Sequence, residues 1–412
     1  MKKCILILLL LTFCFQPVYA QNSEIELESD YYLMIDPENS QIIYEQGSNE
    51  FIYPASMTKM MTLIVALEHI DDDDKILTLD HEVFKGLYEA NASLAGFSLN
   101  EKVSVKDCLY GLFLPSGAEC TRALAIETAG SEEEFVKLMN EKAKELKMNN
   151  THFENTTGLH HKDHHSTLQD LSILMKYCLN NPDFYEIFTT KEYIASGSLH
   201  KQLKMNSTLF KRLSEEHSEM ILGGKTGYTN PAGLCLASLA EKDGRTLMLI
   251  TAHAPVSSTP YHLLDAVKAY TTVYEQMHKI QLCDKDIPVI ETEVMFTLPK
   301  QTINLYPSET LTLTVPKEIN EEELQYQIDL NEAIEAPLQK NDVLGILYIY
   351  YNDELLGSCN LVCHDDVEAS ELSLFLYNTS VFVETYWKTG LLIGGSLFLF
   401  FLFLKFRQKH MN

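Results

Sequence analysis

The sequence predicts an α+β domain, then a small all-β domain and one C-terminal transmembrane helix. Three observations carry this. Strand-like segments lie early and late in residues 21–283, with helical periodicity between them. Residues 284–365 are rich in Thr, Val, Ile and Tyr and broken by frequent turns. Near the end, Thr389 to Leu404 forms a second apolar run, after the one at the N-terminus.

Lys2 and Lys3 precede the apolar run Ile5 to Leu11, and Val18-Tyr19-Ala20 precedes Gln21. This is the pattern of a cleaved secretory signal over residues 1–20. Phe13 stands where a lipoprotein acceptor Cys14 would need a small neighbour. Tyr32–Ile35 and Gln41–Tyr44 alternate like strands around the turn Asp36-Pro37-Glu38-Asn39. A helix is expected from Met57 to about His69, and Asp71–Asp74 is an acidic solvated loop. Helical spacing returns at Val105–Leu114, Ala118–Ala129, Glu132–Lys147 and Leu168–Leu179, the last opened by a capping box at Ser166–Gln169. Strand patterns follow at Gly223–Gly227, Gly233–Ala240 and Thr246–His253, with Asp243-Gly244 turning the last two into a hairpin. A helix over Tyr261–Met277 closes the domain.

Residues 366–388 read as a linker, 389–404 as the membrane helix and 405–412 as a cytoplasmic tail. Sixteen residues make about 24 Å of helix, short of a hydrocarbon core of roughly 30 Å. Tyr386, Trp387, Lys405, Arg407 and Lys409 extend it as interfacial anchors. Basic residues after the run put that end in the cytoplasm, so the expected arrangement is a single-pass cell-membrane protein with its body outside. The formal charge of −26 argues against nucleic acid as a partner. Nine cysteines, of which Cys4 and Cys14 lie in the leader, leave an odd set with irregular spacing. Cys359 and Cys363 are near enough to suspect a bridge, and buried free thiols are the alternative.

Chemistry is carried first by Ser56-Met57-Thr58-Lys59. Residues at i and i+3 share a helix face, so hydroxyl and amine can meet. Serine needs a base to become a nucleophile, and lysine serves only when burial or field makes it neutral. The alternative is a serine helix cap, but a capping box wants Glu or Gln at Lys59, and a cation is the wrong sign at a helix N-terminus. Ser198-Leu199-His200-Lys201 repeats the spacing without an apolar helix behind it. Lys225-Thr226-Gly227 opens a strand and offers a cation and a hydroxyl to a carboxylate, whereas Lys388-Thr389-Gly390 sits at the membrane edge. Ser116, in Leu114-Pro115-Ser116-Gly117-Ala118, is on its own an ordinary turn residue.

Taken in this order, the three motifs resemble those of penicillin-binding proteins and serine β-lactamases. The chain is most similar to the low-molecular-mass D-alanyl-D-alanine carboxypeptidases, peptidase family S11. Residues 31–68, Phe153–Leu159, His164–Thr167, Gly224–Thr229 and Ile334–Leu361 carry the likeness. The resemblance implies a β-lactamase/transpeptidase-like catalytic domain with an antiparallel sheet. It implies Ser56, Lys59 and Ser116 as catalytic residues and Lys225, Thr226, Gly227 and Tyr228 as the substrate-binding strand. It implies a stem peptide of peptidoglycan ending in D-Ala-D-Ala as substrate, β-lactams as covalent inhibitors, and no cofactor or metal. The chain departs at Ala118, where the family motif Ser-x-Asn has its amide. A β-lactamase and a non-catalytic wall-binding protein are the alternatives. The pairs His160-His161 and His164-His165 invite a zinc reading, but a polar loop beside Gly158 accounts for them without one.

Overall fold

The computed structural model describes residues 25–196, 202–213 and 219–386. Two compact units divide them: residues 25–279 with Thr314–Glu318, and residues 280–313 with 319–386.

The first unit is built on a five-stranded antiparallel sheet. Its order is Ile42–Gln46, Tyr31–Ile35, Arg245–Ala254, Gly233–Lys242, Ile221–Thr229. Early and late strands therefore share one sheet, as the sequence predicts. Alternation along each strand feeds two cores. Leu33, Ile35, Met248 and Ile250 face a large helical layer, while Tyr32, Met34, Leu247 and Leu249 face the helix Tyr261–Gln276. Burial on both faces explains why the two central strands read as nearly unbroken apolar runs rather than half-polar ones. The hairpin turn lies at Asp243 and Gly244, both with positive φ (53° and 73°), as the primed turns of two-residue hairpins require.

In the helical layer, Lys59–His69 is the central helix, with Lys59 to Ala66 all buried. Around it pack Val105–Phe113, Ala118–Ala129, Glu132–Glu145 and Leu168–Leu179. The last begins one residue later than its expected capping box. Thr167 is the cap and accepts from Asp170 N at 3.1 Å. A further helix, Pro182–Thr189, is capped by Asn181 and has proline in its first turn, a start signal carried by the residue types themselves. Two short strand pairs, Ile76–Thr78 with Lys102–Ser104 and Glu192–Ala195 with Leu203–Asn206, were also unforeseen. At three residues or four they are too short to show a period.

The second unit is all β. Its sheet runs Ile290–Val294, Gln301–Pro307, Glu354–Cys363, Val343–Tyr351, Gln325–Leu330, antiparallel throughout. Cys359 and Cys363 lie in one strand, about 13 Å apart at the strand rise, so the bridge suspected between them is excluded. Residues 371–386, expected as linker, are helical. Among the described residues no helix is long and apolar enough to cross a membrane. The expected signal 1–20, the membrane helix 389–404, the tail 405–412 and Ser198–Lys201 lie outside the described residues.

Candidate active site

Ser56 does not begin the α-helix. It sits in a 3-10 turn, Ala55–Thr58, that runs directly into Lys59–His69. In a 3-10 turn side chains at i and i+3 eclipse, which brings serine and lysine closer than an ordinary helical turn would. Lys59 Nζ lies 3.2 Å from Ser56 Oγ. Ser56 makes no cap hydrogen bond, so its hydroxyl is free of the structural role that was its alternative.

The Lys59 amine is buried, and burial lowers its pKa from 10.5 to about 7 against the opposing charges of Glu119 and Glu132. It donates to the Thr157 carbonyl at 2.6 Å. That carbonyl is held rigidly. Asn155 Oδ1 accepts from Thr157 N, Thr157 Oγ1 and Gly158 N at 3.2, 3.0 and 2.8 Å. Glu132 Oε1 accepts from Thr156 N and Thr156 Oγ1 at 3.1 and 2.7 Å. Thr62, one turn after Lys59, donates to the Thr156 carbonyl at 2.7 Å.

Ser116 follows the helix Val105–Phe113 in a turn where its own φ is 65°. Its hydroxyl accepts from Lys225 Nζ at 3.0 Å. Lys225 is fully buried, over the Phe113 ring, and its second acceptor is the Thr226 carbonyl at 3.1 Å. Burial drives its pKa well down, and the neighbouring Lys59 charge adds to this. Thr226 Oγ1 meets Thr208 Oγ1 at 2.6 Å, and Thr208 N donates to the Leu114 carbonyl. Thr208 thus links the Lys-Thr-Gly strand to the turn that carries Ser116, and no pattern in the sequence marked it.

Two glycines set the pocket's shape. A Cβ on Gly227 would stand 3.1 Å from Ser56 N, so the strand lies directly against the serine turn. Gly158 has φ of 79°, and a Cβ there would overlap the Ala55 carbonyl at 1.8 Å. Tyr228 is 48% exposed, on the strand that forms the edge of the sheet. An edge strand has a row of unpaired backbone groups that an extended peptide can bond.

The profile of the D-alanyl-D-alanine carboxypeptidases matches residues 18–255, and that of the penicillin-binding protein 5 C-terminal domain matches residues 278–369. The D-alanyl-D-alanine carboxypeptidase DacF of Bacillus subtilis is 30% identical over 365 residues, covering 87% of this chain and 91% of its own. The crystal structure of penicillin-binding protein 5 from Haemophilus influenzae superposes with a TM-score of 0.72 at 24% identity, covering 84% of this chain and 99% of its own. The Streptomyces K15 DD-transpeptidase, in a substituted form, aligns with 60% of this chain and 98% of its own at 26% identity and a TM-score of 0.56. The chain belongs to the D-alanyl-D-alanine carboxypeptidase family. It is a serine-type peptidase hydrolase with the penicillin-binding protein fold.

This carboxypeptidase lacks the motif amide. Ala118 is buried, with its backbone N donating to the Ser93 carbonyl. Glu119 does not take the amide's place. Its Oε1 accepts from Ala95 N and Gly96 N at 2.7 and 3.0 Å, anchoring the 93–96 loop, and it reaches Lys59 through charge alone. The hydrogen bond that orients Lys59 comes from the Thr157 carbonyl instead.

The four histidines do not converge. His164 is buried and neutral, its pKa pushed down to about 3 by burial. Its Nδ1 accepts from Glu154 N at 3.2 Å, so Nε2 carries the proton and donates to Thr58 Oγ1 at 2.8 Å. His160 packs edge-on to Tyr53, and His165 pairs with the Asp163 carbonyl. His161 stands with Glu154 and Asp163 in an exposed trio whose ligand atoms lie within 4.8 Å of one another. His164 therefore braces the serine turn, a role the doubled histidines did not suggest.

Replacing Gly158 with alanine tests the packing of this turn. The protein should fold, with an unchanged circular dichroism spectrum. The rate of labelling by a fluorescent penicillin should fall by about 100-fold, the order expected for a misplacement near 1 Å. A rate equal to that of the unaltered protein would show that Gly158 does not set the position of Ser56.

Proposed function

We propose that Ser56 is the nucleophile that removes the terminal D-alanine from peptidoglycan stem peptides, through an acyl-enzyme. The observation that carries this is the buried Lys59 amine, 3.2 Å from Ser56 Oγ with a pKa near 7. A neutral amine has one lone pair. With an N–H committed to the Thr157 carbonyl, that lone pair is left to receive the serine proton.

Ser56 Oγ attacks the carbonyl of the penultimate D-alanine as Lys59 takes its proton. The backbone N–H groups of Ser56 and Tyr228 stabilise the oxyanion; one such donor typically contributes about 2.7–4 kcal/mol. Ser116 passes a proton to the leaving amine. Lys225 and Thr226 bind the terminal carboxylate, and Gly227 lets the peptide backbone approach. Burial lowers the Lys225 pKa and an arriving carboxylate raises it, so substrate binding should favour proton uptake. Water then hydrolyses the ester. A β-lactam follows the same path as far as the acyl-enzyme.

The family and its relatives do not favour a β-lactamase or a non-catalytic wall-binding protein. A penicillin adduct should therefore persist for many turnovers' time, and Ser56→Ala should give no adduct. An adduct that hydrolyses as fast as it forms would mark a β-lactamase. Absence of any adduct on the unaltered protein would mark a dead site.

Acylation should climb as pH rises through about 7, where Lys59 loses its proton, and level off above. Lys59→Arg, whose guanidinium keeps its charge, should lose that limb along with most of the rate. A flat profile for the unaltered protein would remove Lys59 as the base.

The same reading holds the body outside the cell, cleaved after residue 20 and anchored by residues 389–404. The apolar run and its basic flank support this, as do Leu372, Phe375, Phe382 and Val383, exposed on the preceding helix. Full-length protein should sediment with membranes through an alkaline carbonate wash, and protein ending at residue 386 should be released by it. Release of both would remove residues 389–404 as the anchor.

A further inference from the structure

Cys283 and Cys359 are 76 positions apart in the chain, yet their sulfurs are 3.7 Å apart within the second unit. Cys283 is the last residue of the strand Met277–Cys283, and a turn follows in which Ile287 N donates to the Asp284 carbonyl. Cys359 is inside the strand Glu354–Cys363, opposite Leu347. A disulfide needs sulfurs at about 2.05 Å, so the gap must close by roughly 1.7 Å. A half-buried side chain at a strand end can make that movement by rotation. Its contacts besides Cys359, to the Glu309 carbonyl at 3.8 Å and from the Leu311 backbone N–H, are weak sulfur ones.

We propose that Cys283 and Cys359 form a disulfide, with Cys283 as the entry sulfur and Cys359 as the resolving one. Access sets the order, since Cys283 is partly open and Cys359 is buried. The Cys359 thiol hydrogen-bonds the Cys283 sulfur and lowers the Cys283 pKa, while raising that of Cys359, so the thiolate forms first on the accessible partner.

The oxidant is an external disulfide. The Cys283 thiolate attacks one of its sulfurs, forming a mixed disulfide and expelling one thiolate. Cys359 then gives up its proton, and its sulfur displaces the second thiolate from Cys283. Two protein thiols are oxidised and one external disulfide is reduced to two thiols. The bond ties the segment entering the β unit to the strand Glu354–Cys363. It rests on this geometry alone and is independent of the reaction proposed for Ser56. Cys363 takes no part, because its sulfur faces the Gln339 carbonyl at 3.1 Å.

The full chain is incubated with oxidised glutathione under native conditions. Remaining thiols are blocked with N-ethylmaleimide, and the protein is digested without reduction for mass spectrometry. The expected product is a peptide pair joined through Cys283 and Cys359, retained in Cys363→Ser. Cys359→Ser should instead carry glutathione on Cys283. Glutathione left on Cys283 of the unaltered chain beside a free Cys359 would overturn the proposal. So would two free thiols, or a link from either residue to Cys363.

Discussion

The site depends on the burial of one amine. Lys59 is taken out of water by the helical layer, and this desolvation is the largest influence on its pKa. The cost of burying a lysine charge is lessened because the amine gives up its proton near pH 7. What burial cannot do is point the lone pair. That task falls to the Thr157 carbonyl, itself fixed by Asn155 and Glu132. Burial also drives down the pKa of a second amine, Lys225, and the neighbouring Lys59 charge lowers it further.

The sheet serves this arrangement through close approach. Its central strands are buried on both faces, and the Lys-Thr-Gly strand pairs with one of them along the whole motif at the sheet edge. Gly227 brings that strand to van der Waals distance of Ser56 N, and Gly158 brings the lysine-orienting loop against Ala55 from elsewhere in the chain. The serine turn is thus held between two backbones, and His164 fixes it further through Thr58. Side chains at either glycine would push the strand or the loop away from the serine turn.

Much of this was legible in the sequence because it is carried by side-chain type and spacing. Ser56 and Lys59 were marked by spacing and chemistry, Ser116 and Lys225 by the resemblance that the three motifs carry in their order, and the helices Ala118–Ala129 and Leu168–Leu179 lie where the periodicity put them. The missing parts have physical reasons. The Thr157 partner is a backbone carbonyl, and a carbonyl is common to every residue, so no letter marks it. Thr208 and His164 matter through partners far away in the chain. The 3-10 form of the serine turn was hidden because three-residue spacing suits both helix types. Sequence proximity misled at Cys359 and Cys363, since four residues along a strand are farther apart than two sulfurs can span.

Ala118 shows how a motif residue can be lost while the geometry around it is kept. An asparagine amide there would have supplied hydrogen bonds to the pocket from the start of the helix Ala118–Ala129. The alanine supplies none, but its backbone N–H still ties the helix start to Ser93, and Glu119 beside it holds the 93–96 loop through two N–H groups. The wall of the pocket is therefore kept by backbone bonds, and the lysine by the Thr157 carbonyl. The substitution leaves the protonation of Lys59 to burial, Glu119 and Glu132.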